Sequence, residues 1–196
     1  MRILLATTNA GKLAEVKQLL GEHIQVVSLS AADSTQEIET GTTFMENALL
    51  KARHYYRSSG IPTIADDSGL EVEALNGAPG IHSARYAGLD AEDKDRIRRL
   101  IDEMRGVPPQ KRDARFTCAA AIVWGGGEQV FVDFVSGKIL EKPRGRTGFG
   151  FDPVFLYEPL GKTFAEISSQ AKSEVSHRGR AFRRLAAWLA ESRAFE

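Results

Sequence analysis

The first twenty residues join a short apolar run to an amphipathic pattern. Residues 2–8 are mostly apolar and are interrupted at Asn9 and Gly11, which predicts a buried strand. Apolar side chains then recur at helical spacing from Leu13 to Leu20, with Asn9 as a candidate N-cap. A strand that leads directly into a helix is the opening unit of an α/β fold.

A second helix and strand follow. Thr43 and Glu46 form a capping-box pattern ahead of an apolar face made by Phe44, Ala48, Leu49, Ala52, Tyr55 and Tyr56. A Gly- and Pro-containing stretch, residues 59–62, ends this helix before a strand predicted at residues 63–66. The βαβαβ order predicts a mixed α/β fold, in which ligands bind beyond strand ends in a central cleft.

The remaining elements complete this expectation. A third helix is predicted from Ile97 to Met104, and residues 115–124 and 129–140, separated by three glycines, predict a long β-hairpin. A loop at residues 142–152 precedes a short strand at 153–157 and a last helix with the apolar stripe Phe182, Leu185, Ala186 and Leu189. We therefore expect one domain, residues 1–196, with a mixed sheet, flanking helices and two lobes around a cleft that holds the active site.

Charge is balanced overall and uneven locally. The 26 basic and 26 acidic residues cancel, so there is no electrostatic case for binding nucleic acid or a membrane surface. Residues 31–73 contain eight acids and three bases, whereas residues 172–196 contain six bases and three acids. This asymmetry suits a metal ion together with a polyanionic small molecule, although two solvated helix faces of different charge would give the same counts.

One cysteine, Cys118, excludes an internal disulfide and lies in an apolar run, so we expect it in the core. No apolar run approaches the length of a membrane span, and the N-terminal run is too short for a signal peptide. The expected location is the cytoplasm.

The stretch TIADDSGLEV, residues 63–72, carries two adjacent carboxylates. Neighbouring side chains in a strand point to opposite faces, so Asp66 and Asp67 are expected to play different roles. Magnesium needs only one or two carboxylates beside substrate phosphates, and such a carboxylate can accept a proton from an attacking water. A turn capped by Asp67 and Ser68 explains the same residues without any metal.

The stretch TTNAGK stands between the first strand and helix, where hydroxyls, backbone N–H groups and a lysine suit a phosphate. A helix N-cap explains it equally well, and it lacks the spacing of the common phosphate-binding loop. Its residues are Thr7, Thr8, Asn9, Ala10, Gly11 and Lys12. Further along, Glu39 precedes a glycine turn and is a candidate to project a carboxylate into the cleft, whereas Glu46 is more simply a capping partner.

Two later stretches could contact a base and an anion. In GFGFDP, glycines alternate with Phe149 and Phe151, which lets the backbone approach a flat ring, and Asp152 can accept hydrogen bonds. Aromatic side chains that merely pack the loop are the alternative. In KSEVSHRGRA, residues 172–181, Lys172, His177 and Arg178 are placed at a predicted helix start, where cations are unfavourable unless an anion binds. A basic surface helix is the alternative.

Taken together, six stretches resemble the family of noncanonical purine nucleoside triphosphate pyrophosphatases, the Ham1-like inosine/xanthosine triphosphate hydrolases. They are TTNAGK, ETGTTFMENALLKA, ADDSGLEV, GAPGIHSARYAG, GFGFDPVF and KSEVSHRGRA, in this order from about residue 3 to residue 190. The resemblance implies an elongated α/β fold and a homodimer. It also implies Mg²⁺-dependent hydrolysis of ITP, dITP and XTP between the α and β phosphates, which cleans the nucleotide pool.

The resemblance also implies roles for the matching residues. Asp67 would be the proton acceptor and a magnesium ligand, Glu39 would assist at the metal and Ser68 would touch the substrate. Residues 7–12 would hold the triphosphate, Phe149, Gly150, Phe151 and Asp152 would frame the base, and Lys172, His177 and Arg178 would contact the substrate from the opposite side.

Three points stay open at this level. Thr8 and Phe151 stand where the family often has glycine and tyrosine, which affects only fine substrate preference. The segment GAPGIHSARYAG could border the cleft or contact a second copy, so His82 and Arg85 are given no role. The rival functions are a Maf-type pyrophosphatase for other modified bases and a nucleotide-binding sensor without turnover.

Overall fold

The computed structural model describes residues 1–21, 24–29 and 39–192. Seven strands and five helices follow one another in this part of the chain. In order they are β1 (Arg2–Leu5), α1 (Ala10–Leu20), β2 (Gln25–Ser28), α2 (Phe44–Ser59), β3 (Thr63–Val72), α3 (Asp93–Glu103), β4 (Asp113–Trp124), β5 (Gly127–Ile139), β6 (Phe155–Tyr157), β7 (Lys162–Thr163), α4 (Ser169–Val175) and α5 (His177–Glu191).

The strands form one mixed sheet in the order β2-β1-β3-β4-β5-β6-β7. β1 pairs in parallel with β2 and with β3, where Leu4 is opposite Thr63 and Leu5 is opposite Ile64. At the other end of the order, β6 pairs antiparallel with β5 and β7. The predicted mixed α/β fold is therefore confirmed, including its βαβαβ start.

The β4–β5 hairpin is also confirmed, since only Gly125 and Gly126 separate the two strands. A connection this short joins antiparallel strands, because a parallel pair needs a long crossover.

Two compact units share these strands. Unit 1 contains residues 1–67, 118–133 and 177–196, and unit 2 contains residues 68–117 and 134–176. In unit 1, β1, α1, β4 and α5 contribute to an apolar cluster that includes Ile3, Val16 and Phe182, with Cys118 buried in it as expected. Unit 2 has its own apolar cluster, which contains Leu70, Leu100 and the phenylalanine rings of β4 and β6. The prediction of a single domain stays a prediction.

The helices begin where the sequence indicates. Asn9 caps α1, because its side chain accepts a hydrogen bond from the Lys12 N–H at 3.0 Å. Thr43 caps α2 by accepting from the Glu46 N–H at 3.1 Å. The Glu46 carboxylate accepts from the Thr42 N–H at 2.7 Å and from the Thr42 hydroxyl at 2.9 Å, one residue before the cap.

β3 is longer than predicted. The strand was expected to end at Asp66, but it continues through both aspartates, Ser68 and Gly69 to Val72. Beyond the last residue paired with β1, backbone groups of β3 have other hydrogen-bond partners. The Leu70 N–H donates to the Ser83 hydroxyl at 2.9 Å. The interpretation of Asp67 and Ser68 as a capped turn is therefore wrong.

Among the described residues, no helix combines the length and the apolar character that crossing a membrane requires.

Candidate active site

The two aspartates of β3 lie just past the end of the β1–β3 pairing, where the chain leaves β1 toward α1. Asp66 is 1% exposed and Asp67 is 6% exposed. Because they are neighbours in a strand, their side chains point to opposite faces and meet different partners, as the sequence predicted.

Cations surround Asp66. Its Oδ2 lies 3.0 Å from the Lys12 Nζ and 3.5 Å from the Arg178 Nε. Burial alone would raise the pKa of Asp66, but the charges of Lys12, Arg178 and Lys51 outweigh it and hold that pKa far below its usual range. Asp66 is therefore a fixed anion that organises three cations of unit 1.

Arg178 lies in the first turn of α5 and is 2% exposed. Its Nη1 also donates to the Glu15 carboxylate of α1 at 2.6 Å. Burial would lower the pKa of Arg178, but Asp66 and Glu15 reverse this and raise it. The guanidinium thus joins α5 to α1 and to β3, and its charge is shared between two carboxylates.

The loop from β1 to α1 presents mostly polar groups. Thr7 is buried and its hydroxyl accepts from the Asn9 N–H at 3.2 Å, whereas Thr8, Asn9 and Ala10 are exposed. Gly11 and Lys12 follow in the first turn of α1. The N–H groups of a first turn have no acceptor within the helix, and here the Asn9 side chain accepts from the Lys12 N–H. The N-cap interpretation is confirmed.

Asp67 is held by a neutral partner. The Asn47 Nδ2 of α2 donates to its Oδ2 at 3.0 Å, and the Asn47 Oδ1 accepts from the Gly41 N–H at 2.8 Å. Burial raises the pKa of Asp67; Lys51 opposes this rise, and Glu39 adds to it. Asn47 is fully buried, so this one side chain ties β3 to the turn that follows Glu39.

The approach of that turn to α2 requires a glycine. A Cβ placed on Gly41 would stand 2.7 Å from the Glu46 Cβ and 2.8 Å from the Asn47 Oδ1. Any other residue would push the turn away and break the Asn47 contact.

Glu39 meets a buried lysine. The Lys51 Nζ donates to the Glu39 Oε1 and to the Asp66 carbonyl oxygen, each at 2.6 Å. Burial would lower the pKa of Lys51, but Glu39, Asp67 and Asp66 outweigh it and raise that pKa. Lys51 therefore stays charged among three carboxylates.

Asp67 and Glu39 are the two carboxylates predicted to hold a magnesium ion. In the described part of the chain, no group of three or more His, Cys, Asp and Glu side chains is arranged to hold a metal. Magnesium needs fewer protein ligands, since water and substrate phosphates complete its shell. Burial raises the pKa of Asp67, and a cation bound beside it would favour its charged form. The two residues fit the ion.

The predicted base-binding residues lie in unit 2. The Asp152 Oδ2 accepts from the Phe149 N–H at 2.9 Å and from the Lys172 Nζ at 2.6 Å. The Lys172 Nζ also lies 4.5 Å from the centroid of the Phe149 ring. Gly148 makes room for this arrangement, because a Cβ there would stand 2.1 Å from the Asp152 Oδ2.

Phe151 is placed differently from the rest of this loop. It is 3% exposed and belongs to the apolar cluster of unit 2, with its ring edge-on to Tyr86 at 6.3 Å. The packing alternative therefore describes the Phe151 ring, whereas Phe149 and Gly150 are only half-buried.

The basic stretch near the C-terminus is not one solvated helix face. Lys172 lies in α4, whereas His177 and Arg178 open α5, and each of the three is at most 4% exposed. The interpretation as a basic surface helix is wrong for these residues. The prediction that all three crowd one helix start is also wrong, because Ser176 separates the two helices.

A cavity of about 420 Å³ in unit 2 does not involve the predicted site residues. Its lining carries four carboxylates and one guanidinium, from Glu71, Glu73, Asp113, Glu158 and Arg115. An excess of negative charge opposes a triphosphate, so we do not place the substrate there. The segment 77–88 lies nearby in the chain, with Ser83 fixed to β3 and His82 exposed.

Three partners in this cluster were not identified from the sequence: Glu15, Asn47 and Lys51. The signal for two of them was present. Asn47 and Lys51 are four residues apart on α2 and directly precede the apolar positions Ala48 and Ala52. Polar side chains beside a buried stripe are expected to face a buried polar partner.

Comparisons with known proteins show the family. The chain matches the Ham1 family over residues 3–188. A dITP/XTP pyrophosphatase from Yersinia pseudotuberculosis is 45% identical over 186 residues, covering 93% of this chain and 94% of the relative. Another, from Geobacillus kaustophilus, is 47% identical and covers 93% and 91%. A solved HAM1 protein from Coxiella burnetii is 38% identical, with a TM-score of 0.86 and coverage of 98% and 100%. With sequence, fold and motifs matched over nearly its whole length, this chain belongs to the Ham1 family.

Proposed function

We propose that the protein hydrolyses the noncanonical purine nucleoside triphosphates ITP, dITP and XTP to the monophosphate and pyrophosphate, with Mg²⁺. The observation that carries the proposal is Asp67, a buried carboxylate held by Asn47 in a cluster that also contains Lys12, Lys51 and Arg178. The names of the relatives, dITP/XTP pyrophosphatase, support the substrate class.

Asp67 and Glu39 are the residues that would hold the magnesium ion. When bound there, the ion would supply positive charge to the phosphates and make a bound water more acidic. This role agrees with the oxygen donors of the two side chains and with the desolvation of Asp67.

Asp67 would act as the proton acceptor for the water that attacks phosphorus. Asn47 orients it by occupying Oδ2, so the direction of the carboxylate is set before the substrate arrives. The first turn of α1 and residues 7–12 would hold the triphosphate through backbone N–H groups and Lys12. Ser68, the next residue of β3, would contact the substrate.

In unit 2, the ring of Phe149 would stack on the purine, with Gly150 allowing close approach and Asp152 accepting from ring or ribose donors. Lys172 carries three N–H donors, one of which Asp152 uses. We propose that Lys172, His177 and Arg178 supply the donors that recognise a 6-oxo group. The 6-amino group of adenine cannot accept such a bond and would leave those donors unpaired.

A panel of nucleoside triphosphates tests the proposal. ITP, dITP and XTP should release pyrophosphate with Mg²⁺ at least about a hundredfold faster, in kcat/KM, than ATP, since a buried unpaired donor costs on that order. Equal rates for ATP and ITP, or release of orthophosphate, would contradict it. Preference for a modified pyrimidine would favour a Maf-type enzyme, and binding without turnover would favour a sensor.

We further propose that the protein is a homodimer in the cytoplasm, where the nucleotide pool lies. Light scattering on a sizing column measures the mass: 21.5 kDa is the monomer, and about twice that is expected.

A further inference from the structure

The loop 148–152, which we propose to frame the purine, is held in part by a residue outside every predicted site motif. The Asp93 Oδ2 accepts from the Gly150 N–H at 2.6 Å. Asp93 is the first residue of α3, 57 positions earlier in the chain, and both residues belong to unit 2.

This hydrogen bond fixes the peptide that joins Phe149 to Gly150. A trans peptide is planar, so holding its N–H toward Asp93 directs the Phe149 carbonyl to the other side. There the carbonyl accepts from the Asp152 N–H at 3.3 Å. Gly150 has φ +61°, and glycine adopts positive and negative φ about equally readily. Its own backbone preference therefore does not select this loop conformation. The backbone of Phe149 is therefore held on both sides, by Asp152 at its own N–H and by Asp93 at the N–H that follows.

α3 is a firm support for this acceptor. Its first turn has a reciprocal capping box between Glu92 and Asp95, and Ile97 and Leu100 are buried in the core of unit 2. Arg96 pairs with the other Asp93 oxygen and donates to the Ala84 carbonyl at 3.0 Å. Asp93 is thus held by its own helix, so its position is set independently of the loop.

We propose that Asp93 is a positioning residue that sets base selectivity by holding the Phe149–Gly150 peptide. The inference rests on the proposed function, in which this loop contacts the purine. It adds α3, which none of the predicted motifs includes, to the structure that decides between ITP and ATP.

The test compares Asp93→Ala with Asp102→Ala. Each substitution removes a carboxylate of α3 that pairs with an arginine three residues on, Arg96 or Arg105, but Asp93 also accepts from the loop, whereas Asp102 lies in the last turn of the helix. In Asp93→Ala, the ratio of kcat/KM for ITP over ATP should fall about tenfold, mainly through a higher KM for ITP, because the loop loses the charge-assisted hydrogen bond that holds its peptide. Asp102→Ala should keep the wild-type ratio.

A conservative variant guards against simple misfolding. In Asp93→Asn the amide oxygen can still accept from Gly150, so most of the selectivity should return. An unchanged ratio in Asp93→Ala, or an equal loss in Asp102→Ala, would overturn the inference. If the wild-type enzyme does not distinguish ITP from ATP, the proposed function fails instead.

Discussion

At Asp66, three cations face one carboxylate, whereas at the next residue a neutral amide from Asn47 holds Asp67. Burial alone would raise the pKa of both carboxyl groups, but at Asp66 the surrounding cations outweigh burial and lower that pKa, whereas the pKa of Asp67 stays raised. Asp66 is therefore a permanently charged side chain that binds cations. Asp67 is suited to bind a metal ion and to accept a proton. This division explains why two adjacent acids are retained in a buried strand, where a single unpaired charge is costly.

Asn47→Ala should lower both activity and stability. It removes the donor to Asp67 and the acceptor for the Gly41 N–H, a half-buried group that loses its partner. We expect the free energy of unfolding to fall by about 1–3 kcal/mol and kcat to fall at least about tenfold, because the proton acceptor is no longer oriented. Urea denaturation and steady-state kinetics measure the two effects.

Asn47→Asp separates the two contacts. A carboxylate at position 47 can still accept from the Gly41 N–H but repels Asp67. Loss of kcat in this variant supports orientation of Asp67 as the function of Asn47. Wild-type kcat would show that only the Gly41 turn matters.

Among the strands, β3 carries both aspartates of the candidate site and a carboxylate that binds the neighbouring strand. Its first half carries the aspartates, and its second half is tied to β4 by Glu71. The Glu71 carboxylate accepts from the Arg115 Nε at 2.8 Å, from the Arg115 Nη2 at 2.9 Å and from the Thr117 hydroxyl at 2.5 Å. Burial would raise the pKa of Glu71, but Arg115 and Thr117 outweigh it and lower that pKa. This interaction lies between adjacent strands of the sheet, so it helps to keep β3 in register.

The free energy of unfolding should depend on pH through Glu71. Because the folded-state pKa is lowered, the stabilisation is complete above the ordinary value of 4.5 and is lost as pH falls through the folded-state pKa. Glu71→Gln should cost about 0.5–1 kcal/mol at pH 7, the range for a partly exposed ion pair. The difference from wild type should shrink as the pH falls below 4.5.

Urea denaturation at about pH 7, 5 and 3.5 measures the difference in the free energy of unfolding between wild type and Glu71→Gln. Glu73→Gln, two residues along and exposed, controls for the loss of one negative charge. A cost that stays constant with pH would show that packing, rather than ionisation, is responsible.

At the scale of the whole molecule, each unit has its own polar cluster. The cluster of unit 1 contains the carboxylates and cations proposed for metal and phosphate, and this unit also contains His177 and Arg178, whereas the cluster of unit 2 contains Lys172 and the loop proposed to frame the base. We therefore expect substitutions at Asp67 or Lys12 to affect turnover of every substrate alike, and substitutions in the loop 148–152 to change the ranking of substrates.

Asp67→Asn should reduce kcat by about 10²–10⁴-fold for ITP and dITP alike, since the proton acceptor is lost, while KM stays nearly constant. Its thermal stability should be retained, because a desolvated carboxylate becomes a neutral amide that can still accept from Asn47. Asp66→Asn is the contrast: it leaves buried cations without their anion and should destabilise the fold by about 3–5 kcal/mol. Near-normal kcat in Asp67→Asn would refute the assigned role.

Local sequence determined the elements and the kind of chemistry. Apolar periodicity, the caps at Asn9 and Thr43 and the paired glycines of the hairpin are short-range signals, so the βαβαβ order and the β4–β5 hairpin could be predicted. The motifs in their order were enough to indicate the family. The end of β3 was missed, because a strand that continues through two charged residues depends on partners that no local pattern contains.

Only the tertiary structure decided which side chains meet. Glu15 and Arg178 are 163 positions apart, and they touch because α1 and α5 pack on the same side chains of unit 1. In the same way, folding brings Asp93 to Gly150 and lets Asn47 reach Asp67. Such pairs follow from the packing of helices on a sheet, and packing is a property of the whole chain rather than of any window of residues. The sequence alone thus indicated the family and the aspartate that we propose as proton acceptor, and the fold supplied the neighbours that orient it.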